Sequence, residues 1–477
     1  MAVRSPVGSN GGHPFVRNEE NAELIAYEHR VKGAFQAIEG CLKEISTLRY
    51  DGDFVAKAQR VAEDRLGFGL PQALLEDSWI GNLDVGRLHS WCTFETFRRM
   101  SDAFFTEQPL AGGEQEFQSF IEDCGFHLVD VTPCADGRLA HVIRYVLRLP
   151  YRTVRRRSYA GALFDVEDSL EKWVETEMLR HREMVPNPAD EPTSYLKIAV
   201  YHYSSARPDE EGCAAHGSDM KRAADGAWQR LQAFREGVEN SYCCGASIDL
   251  LLIGLDTDND AIRVHLPDAN GDIDINDSID GTELYERSRV AQTPDPLQWV
   301  SEYLYSAQER SGRQPPQAGM VRFAARLLLG NLSQIDYVRR FHNGMYSDLG
   351  HQEIFVGMGI GFEEVQLRNL TYFAYLKTVE EGAADLDVGI KIFSGLNVER
   401  GLPVPVVIRC DYHGSVPGAR DRAEARCRQL DHALRQRFSS LVDAGKLHTL
   451  LMVRDCVADR VAETIACSAL PERTERH

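Results

Sequence analysis

Residues 126–138 read FHLVDVTPCADGR, and the rest of the chain is organised around them. The apolar run Phe126 to Val131 predicts a short buried strand that Pro133 ends, because proline has no N–H for a ladder. Cys134, Asp136 and Arg138 follow at alternate positions. The apolar spacing of Leu139, Val142, Ile143, Val146 and Leu147 then predicts an amphipathic helix. Open α/β sheets bind ligands at the carboxyl ends of their strands, where this triplet falls. An ionised thiol is a soft metal ligand. A carboxylate orients a water, and a guanidinium can grip that carboxylate through two hydrogen bonds.

Working outward, residues 195–203, YLKIAVYHY, predict a second buried strand ending in His202. The loop SSARPDEEG leads to Cys213, and a helix from about Ser218 carries Ala224, Trp228, Leu231 and Phe234 on one face. A third strand follows at 248–255, IDLLLIGL. This alternation predicts a parallel sheet covered by helices. Cys134, His202 and Cys213 all lie at strand ends or just beyond. Two thiolates and one imidazole suit Zn²⁺ and leave a fourth tetrahedral position open, as in catalytic rather than structural sites.

The flanks divide the chain into four parts. Residues 1–20, rich in Gly, Ser, Asn and Pro, predict a flexible tail. Residues 21–110 predict a helical domain, with one stripe at Leu24, Val31, Phe35, Ile38, Leu42 and Ile45 and an aromatic stripe at Trp91, Phe94, Phe97 and Phe104. Residues 111–345 hold the metal constellation. Residues 346–477 repeat the element order, with strands at 353–361, 405–413 and 447–453 and a helical segment from Glu363. The match of Tyr201–Ser204 to Tyr412–Ser415 suggests a duplication, and Cys134, Asp136 and Arg138 fall against Ile360, Phe362 and Glu364. The second copy therefore carries no metal.

Composition excludes several classes. A net charge of −19 argues against nucleic acid as a partner. No apolar run approaches the ~20 residues of a membrane span, and the first residues have no secretory h-region. Eleven cysteines without a framework spacing fit a reducing cytoplasm. The acidic stretch 256–282 fails as a calcium loop, since Ala261 or Ile273 stands where glycine is needed and Pro267 or Ile279 where glutamate is. Gly357, Gly359 and Gly361 fail as a dinucleotide fingerprint because Phe362 occupies the last glycine position. The vicinal pair Cys243–Cys244 offers a redox reading, weaker than core packing. Arg152, Arg155, Arg156 and Arg157 form a basic run in an acidic chain, a candidate anion site.

Cys-x-Asp-x-Arg followed by a strand-end His and a downstream Cys resembles the β-class carbonic anhydrases. That class pairs its second ligands as His-x-x-Cys, whereas ten residues separate His202 from Cys213 here. The longer gap, the helical N-terminal domain and the degenerate second copy resemble the carboxysomal shell-associated carbonic anhydrases, a divergent branch of the β class. The strings CADGRLAHVI and YHYSS–GC carry the resemblance, which spans residues 21–477. It implies one Zn²⁺ per chain held by Cys134, His202 and Cys213, and a β-carbonic-anhydrase-like parallel-sheet catalytic domain beside its degenerate copy. The implied reaction is reversible hydration of CO₂ to bicarbonate. Zinc lowers the pKa of a bound water from 15.7 to about 7, and the resulting hydroxide attacks CO₂. Asp136 orients that hydroxide, and Arg138 keeps Asp136 ionised and off the metal. His141 and His216 are candidate proton relays. The family further implies a homodimer or larger homo-oligomer in the carboxysome of a bacterial cytoplasm, supplying CO₂ to Rubisco, with Rubisco or shell proteins as partners and the tail as a tether. In that setting the arginine run would bind a sugar-phosphate effector such as ribulose bisphosphate. The alternative is a non-catalytic carboxysome scaffold with structural zinc. The Asp136–Arg138 pair favours the enzyme; a fourth protein ligand such as Cys243 or Cys244 would favour the scaffold.

Overall fold

A computed structural model describes residues 13–76, 83–108, 112–181, 193–241, 247–359, 362–376, 382–458 and 461–471. Two sheets dominate. The first has the order β2-β1-β3-β4-β5-β6, with β1 Leu128–Pro133, β2 Arg155–Arg156, β3 Ser194–Tyr203, β4 Ser247–Asp256, β5 Ile262–His265 and β6 Ile279–Asp280. The second has the order β8-β7-β9-β10-β11, with β7 Phe355–Gly359, β8 Thr371–Ala374, β9 Val404–Tyr412, β10 Leu447–Asp455 and β11 Glu463–Cys467. In each, four neighbouring strands run parallel and the next turns antiparallel, at β5 and at β11. The expected duplication is thus a duplication of topology.

The central strands β3 and β9 are apolar almost throughout because helices or loops cover both faces of each sheet. In the second sheet the alternation of side chains sorts two cores. Val406, Ile408, Leu451 and Val453 pack with the helices Ala383–Leu396 and Ala419–Arg437. Val407, Leu450, Met452 and Phe355 meet the N-terminal helices. The aromatic stripe does this work: Phe97 lies 5.3 Å from Phe355 and 6.0 Å from Phe362 between ring centroids. The helices Asn18–Thr47 and Val85–Glu107 therefore roof the second copy. Among the described residues no helix is long and apolar enough to cross a membrane.

Two local expectations fail, and they fail in the same place in both copies. The helix expected after Arg138 is instead a 3₁₀ turn, Gly137–Leu139, and a single π turn, Val142–Val146. The helical segment expected from Glu363 is one 3₁₀ turn, Glu363–Val365, leading into β8. Residues 129–151 are buried on every side, so their apolar spacing reports burial rather than one helical face.

The register of the duplication is also corrected. Pro133 pairs with Val200 and Gly359 with Arg409. Tyr203 pairs with Asp256 and Tyr412 with Asp455. Each of those aspartates accepts the N–H two residues beyond its tyrosine, from Ser205 or Gly414. Tyr203 thus matches Tyr412, two residues away from the Tyr201–Tyr412 match, and His202 falls on Asp411. A two-residue slip leaves every side chain on its own face of a strand, so hydrophobic alternation cannot detect it. The expected match of Asp136 to Phe362 and Arg138 to Glu364 agrees with the strand pairing; residue 360, against Cys134, lies outside the described residues.

Candidate metal centre

Pro133 ends β1, and the next residue, Cys134, anchors its N–H on Val200 at 3.1 Å and bridges to Tyr159. Its sulfur accepts the N–H of Gly161 at 3.1 Å. Gly161 has φ +68°, and a Cβ there would lie 2.7 Å from the His216 ring, so glycine is required on both counts. His202 stands one residue before the end of β3, fully buried. Cys213 opens the 3₁₀ turn Ala214–His216, and its carbonyl accepts the N–H groups of His216 and Ser218, each at 3.0 Å. The strand ends and this turn bring one ligand atom from each of Cys134, His202 and Cys213 within 4.8 Å of one another.

The residues present fit a soft divalent cation. Both ring nitrogens of His202 are buried without a hydrogen-bond partner. Leaving them so costs on the order of 1–3 kcal/mol each, a cost a metal bond removes from one of them. The two thiols share a hydrogen bond that raises Cys134 well above the usual thiol range and lowers Cys213. The N–H groups of Ala215 and His216 add to the lowering. A Cys₂His set of this kind is a zinc set.

Asp136 caps the turn Gly137–Leu139 by accepting the N–H of Arg138 at 2.9 Å. The Arg138 guanidinium then grips both carboxylate oxygens, Nε to Oδ1 at 3.0 Å and Nη2 to Oδ2 at 2.7 Å. Arg138 is itself fully buried, with Nη1 on the carbonyls of Glu211 and Leu349 at 2.5 and 3.0 Å. Burial pushes the Asp136 carboxyl up, but Arg138, His351 and His202 outweigh it and hold it well below the usual carboxylate range. Oδ2 of Asp136 lies 3.5 Å from His202 Nε2. The dyad is thus fixed, ionised and adjacent to the ligand cluster.

Sequence reading missed His351 and Glu353. They follow the long helix Ala318–Phe341 in a stretch without regular structure, and no spacing links them to residue 136. With Asp136 they form a second close cluster. Glu353 accepts the N–H of Gly137 at 3.0 Å and faces His351 Nδ1 at 2.9 Å. A Cβ on Gly137 would lie 2.6 Å from a Glu353 oxygen, which explains the glycine within CADGR.

The remaining candidates are dispersed. His141 pairs with Asp260 at 2.7 Å, in a buried network with Gln334 and Tyr346. His216 lies beside the centre with its ring on the Gly161 carbonyl at 3.2 Å, and burial lowers its pKa. Arg152 is exposed, Arg156 donates to the Ala140 carbonyl at 2.7 Å, and Arg157 pairs with Asp168, so the basic run is not one patch. Arg155 carries a buried Nη1 without a hydrogen-bond partner. Cys243 and Cys244 lie outside the described residues.

Three family models match the chain consecutively: Carboxysome Shell Carbonic Anhydrase, N-terminal, over 13–105; the catalytic domain over 116–351; and the C-terminal domain over 352–469. A carboxysome shell carbonic anhydrase of Prochlorococcus marinus (strain MIT 9313) is 53% identical over 476 residues, covering 99% of this chain and 92% of the relative. That of Parasynechococcus marenigrum (strain WH8102) is 50% identical over 474 residues, 98% of this chain and 81% of the relative. That of Halothiobacillus neapolitanus (strain ATCC 23641 / c2) is 42% identical over 452 residues, 93% and 88%.

Proposed function

The chain belongs to the carboxysome shell carbonic anhydrase family, and from that premise we propose that it interconverts CO₂ and bicarbonate in the carboxysome at a Zn²⁺ ion held by Cys134, His202 and Cys213. It is a carbonic anhydrase, a lyase. One observation supports the metal assignment above the rest: a fully buried histidine, both nitrogens unpartnered, beside two thiols. Bound there, Zn²⁺ would lower the pKa of a water from 15.7 to about 7 and so supply a nucleophile at neutral pH. The chain's residues supply the rest. Asp136, unable to turn in the grip of Arg138, would accept a hydrogen bond from that nucleophile and orient it toward CO₂. Arg138 keeps Asp136 ionised and holds both its oxygens, so that it does not turn to bind the cation. Gly161 stabilises thiolate charge on Cys134 through its N–H.

In the compartment the reaction runs toward CO₂ and supplies Rubisco. The chain acts as a homodimer or larger homo-oligomer attached to Rubisco or shell proteins. A sugar-phosphate effector such as ribulose bisphosphate would act at Arg155, the member of the dispersed run whose Nη1 lacks a partner. If Arg155→Ala leaves the response of activity to ribulose bisphosphate intact, the effector does not bind there. The test of the main reading is stopped-flow CO₂ hydration on protein of known zinc content, beside Cys134→Ser. Turnover that tracks zinc and vanishes in the variant is expected; a zinc-replete wild type without turnover, with and without reductant and ribulose bisphosphate, would overturn it.

A further inference from the structure

A cavity of about 650 Å³ lies between the N-terminal helices and the second copy, and its wall includes His351 and Glu353. These two residues connect it to the metal centre. His351 Nε2 faces Asp136 Oδ2 at 3.7 Å, and Nδ1 faces Glu353 Oε1 at 2.9 Å. The His351 side chain is 21% exposed, against 5% for Asp136 and 0% for Glu353. Of the three, the imidazole is the most exposed, and it borders the cavity. We propose that His351 is the proton relay of this enzyme, exchanging protons between the Asp136 side of the metal centre and buffer in the cavity, with Glu353 as its positioning residue. The inference rests on the carbonic anhydrase reading above.

The balance is simple. CO₂ and water give bicarbonate and one proton, and the reverse reaction consumes one. In hydration the ring takes the proton at Nε2 and releases it to buffer in the cavity; in dehydration it loads from buffer and delivers it inward. A gap of 3.7 Å is slightly longer than a hydrogen bond, so transfer needs a small closing movement of the ring toward Asp136. Glu353 accepts from Nδ1–H, which selects the neutral tautomer whose Nε2 is free to accept.

The other histidines near the centre are less suited. His141 is tied to Asp260 inside the core. His216 is wedged between Gly161 and Gly226, where even an added Cβ would come within 2.7 Å of its ring, so it cannot swing. The groups facing His351 are Asp136 and Glu353, with Arg138 behind Asp136. Lys32, Glu39, His89, Asp348 and Arg400 line the cavity it enters. Burial lowers its pKa, but the two carboxylates outweigh burial and raise it from 6.5 to about 9. A divalent cation held at the neighbouring ligands would act in the opposite direction and lower it.

Oxygen-18 exchange between CO₂ and water tests this on the zinc-loaded full-length chain, because it separates CO₂–bicarbonate interconversion from proton-dependent release of labelled water. For His351→Ala, label release falls about 10²-fold, interconversion falls far less, zinc content is unchanged, and added imidazole restores release. In Glu353→Gln the pH profile of label release shifts to lower pH, since a charge that raises the His351 pKa is gone. Equal loss of both rates in His351→Ala, unchanged label release, or no rescue by imidazole would overturn the relay. A zinc-loaded wild type with no exchange at all would instead overturn the carbonic anhydrase reading, and the relay with it.

Discussion

The two copies of the sheet place different chemistry at the same positions. In the first, His202, Asp136 and Arg138 meet two thiols, and His202 is left with two unpartnered nitrogens. In the second, Asp411, Phe362 and Glu364 stand at those positions, and a buried arginine, Arg409, ties them together. Arg409 pairs with Glu364 and with Asp411 at 3.0 Å, and its guanidinium lies 4.4 Å from the Phe362 ring centroid. Arg454 adds a second bond to Asp411 at 3.2 Å. The N-terminal helices complete the seal: Ser101 donates to the Glu364 carboxylate at 2.9 Å and Tyr27 to its carbonyl at 2.7 Å. One backbone topology thus supports a histidine beside two thiols in one copy and a buried, ion-paired arginine in the other. The difference lies in the donors at strand ends, not in the fold.

The largest contrast is expected in metal content. Cys213→Ser should lose zinc and at least about 10³-fold in CO₂ hydration, whereas Asp411→Asn should keep both, by metal analysis and stopped-flow assay. If Asp411→Asn lost zinc, the plug would not be independent of the first site. The next contrast sets the two buried arginines against each other. Arg138→Ala and Arg409→Ala each strand a buried carboxylate and should cost about 3–5 kcal/mol by denaturant unfolding. Only Arg138→Ala should also lower turnover per zinc bound. A smaller effect is expected at Gly137, where alanine would press on Glu353; a loss of about 1–3 kcal/mol with reduced turnover would show that the two copies meet at this contact.

The smallest effect concerns Asp385 of the second copy, which accepts the N–H of Ala160 at 2.7 Å, beside the loop that holds Cys134. Burial raises its pKa from 3.8 to about 6, despite that hydrogen bond. Between these values the folded chain binds more protons than the unfolded one, so this group's contribution to stability falls as pH rises through the window. Asp385→Asn should flatten the pH dependence of unfolding between pH 4 and 6; an unchanged slope would mean that Asp385 does not titrate there.

The parts legible in the sequence were those written in short, local signals. Apolar runs located β1, β3, β4, β7, β9 and β10 to within a few residues, and Cys134, Asp136 and Arg138 lie close enough in sequence to read as one unit. The rest depends on contacts across long separations. His351 and Glu353 reach Asp136 from more than two hundred positions away, with no periodicity to mark them. Arg155 and Arg156 look like part of a patch because they are adjacent, yet they are the two residues of β2, and successive strand residues point to opposite faces. The turns after Arg138 and Phe362 imitate helices because burial on every side produces the same apolar spacing.

The most direct test of the difference between the copies is zinc K-edge X-ray absorption on the purified full-length chain, with the zinc content measured on the same sample. One zinc per chain, bound by two sulfurs at about 2.3 Å and by nitrogen or oxygen at the remaining positions, is the predicted result. Three or more sulfur ligands, or a second zinc per chain, would contradict it: the first would make the site a closed structural one, and the second would mean the other copy is not sealed.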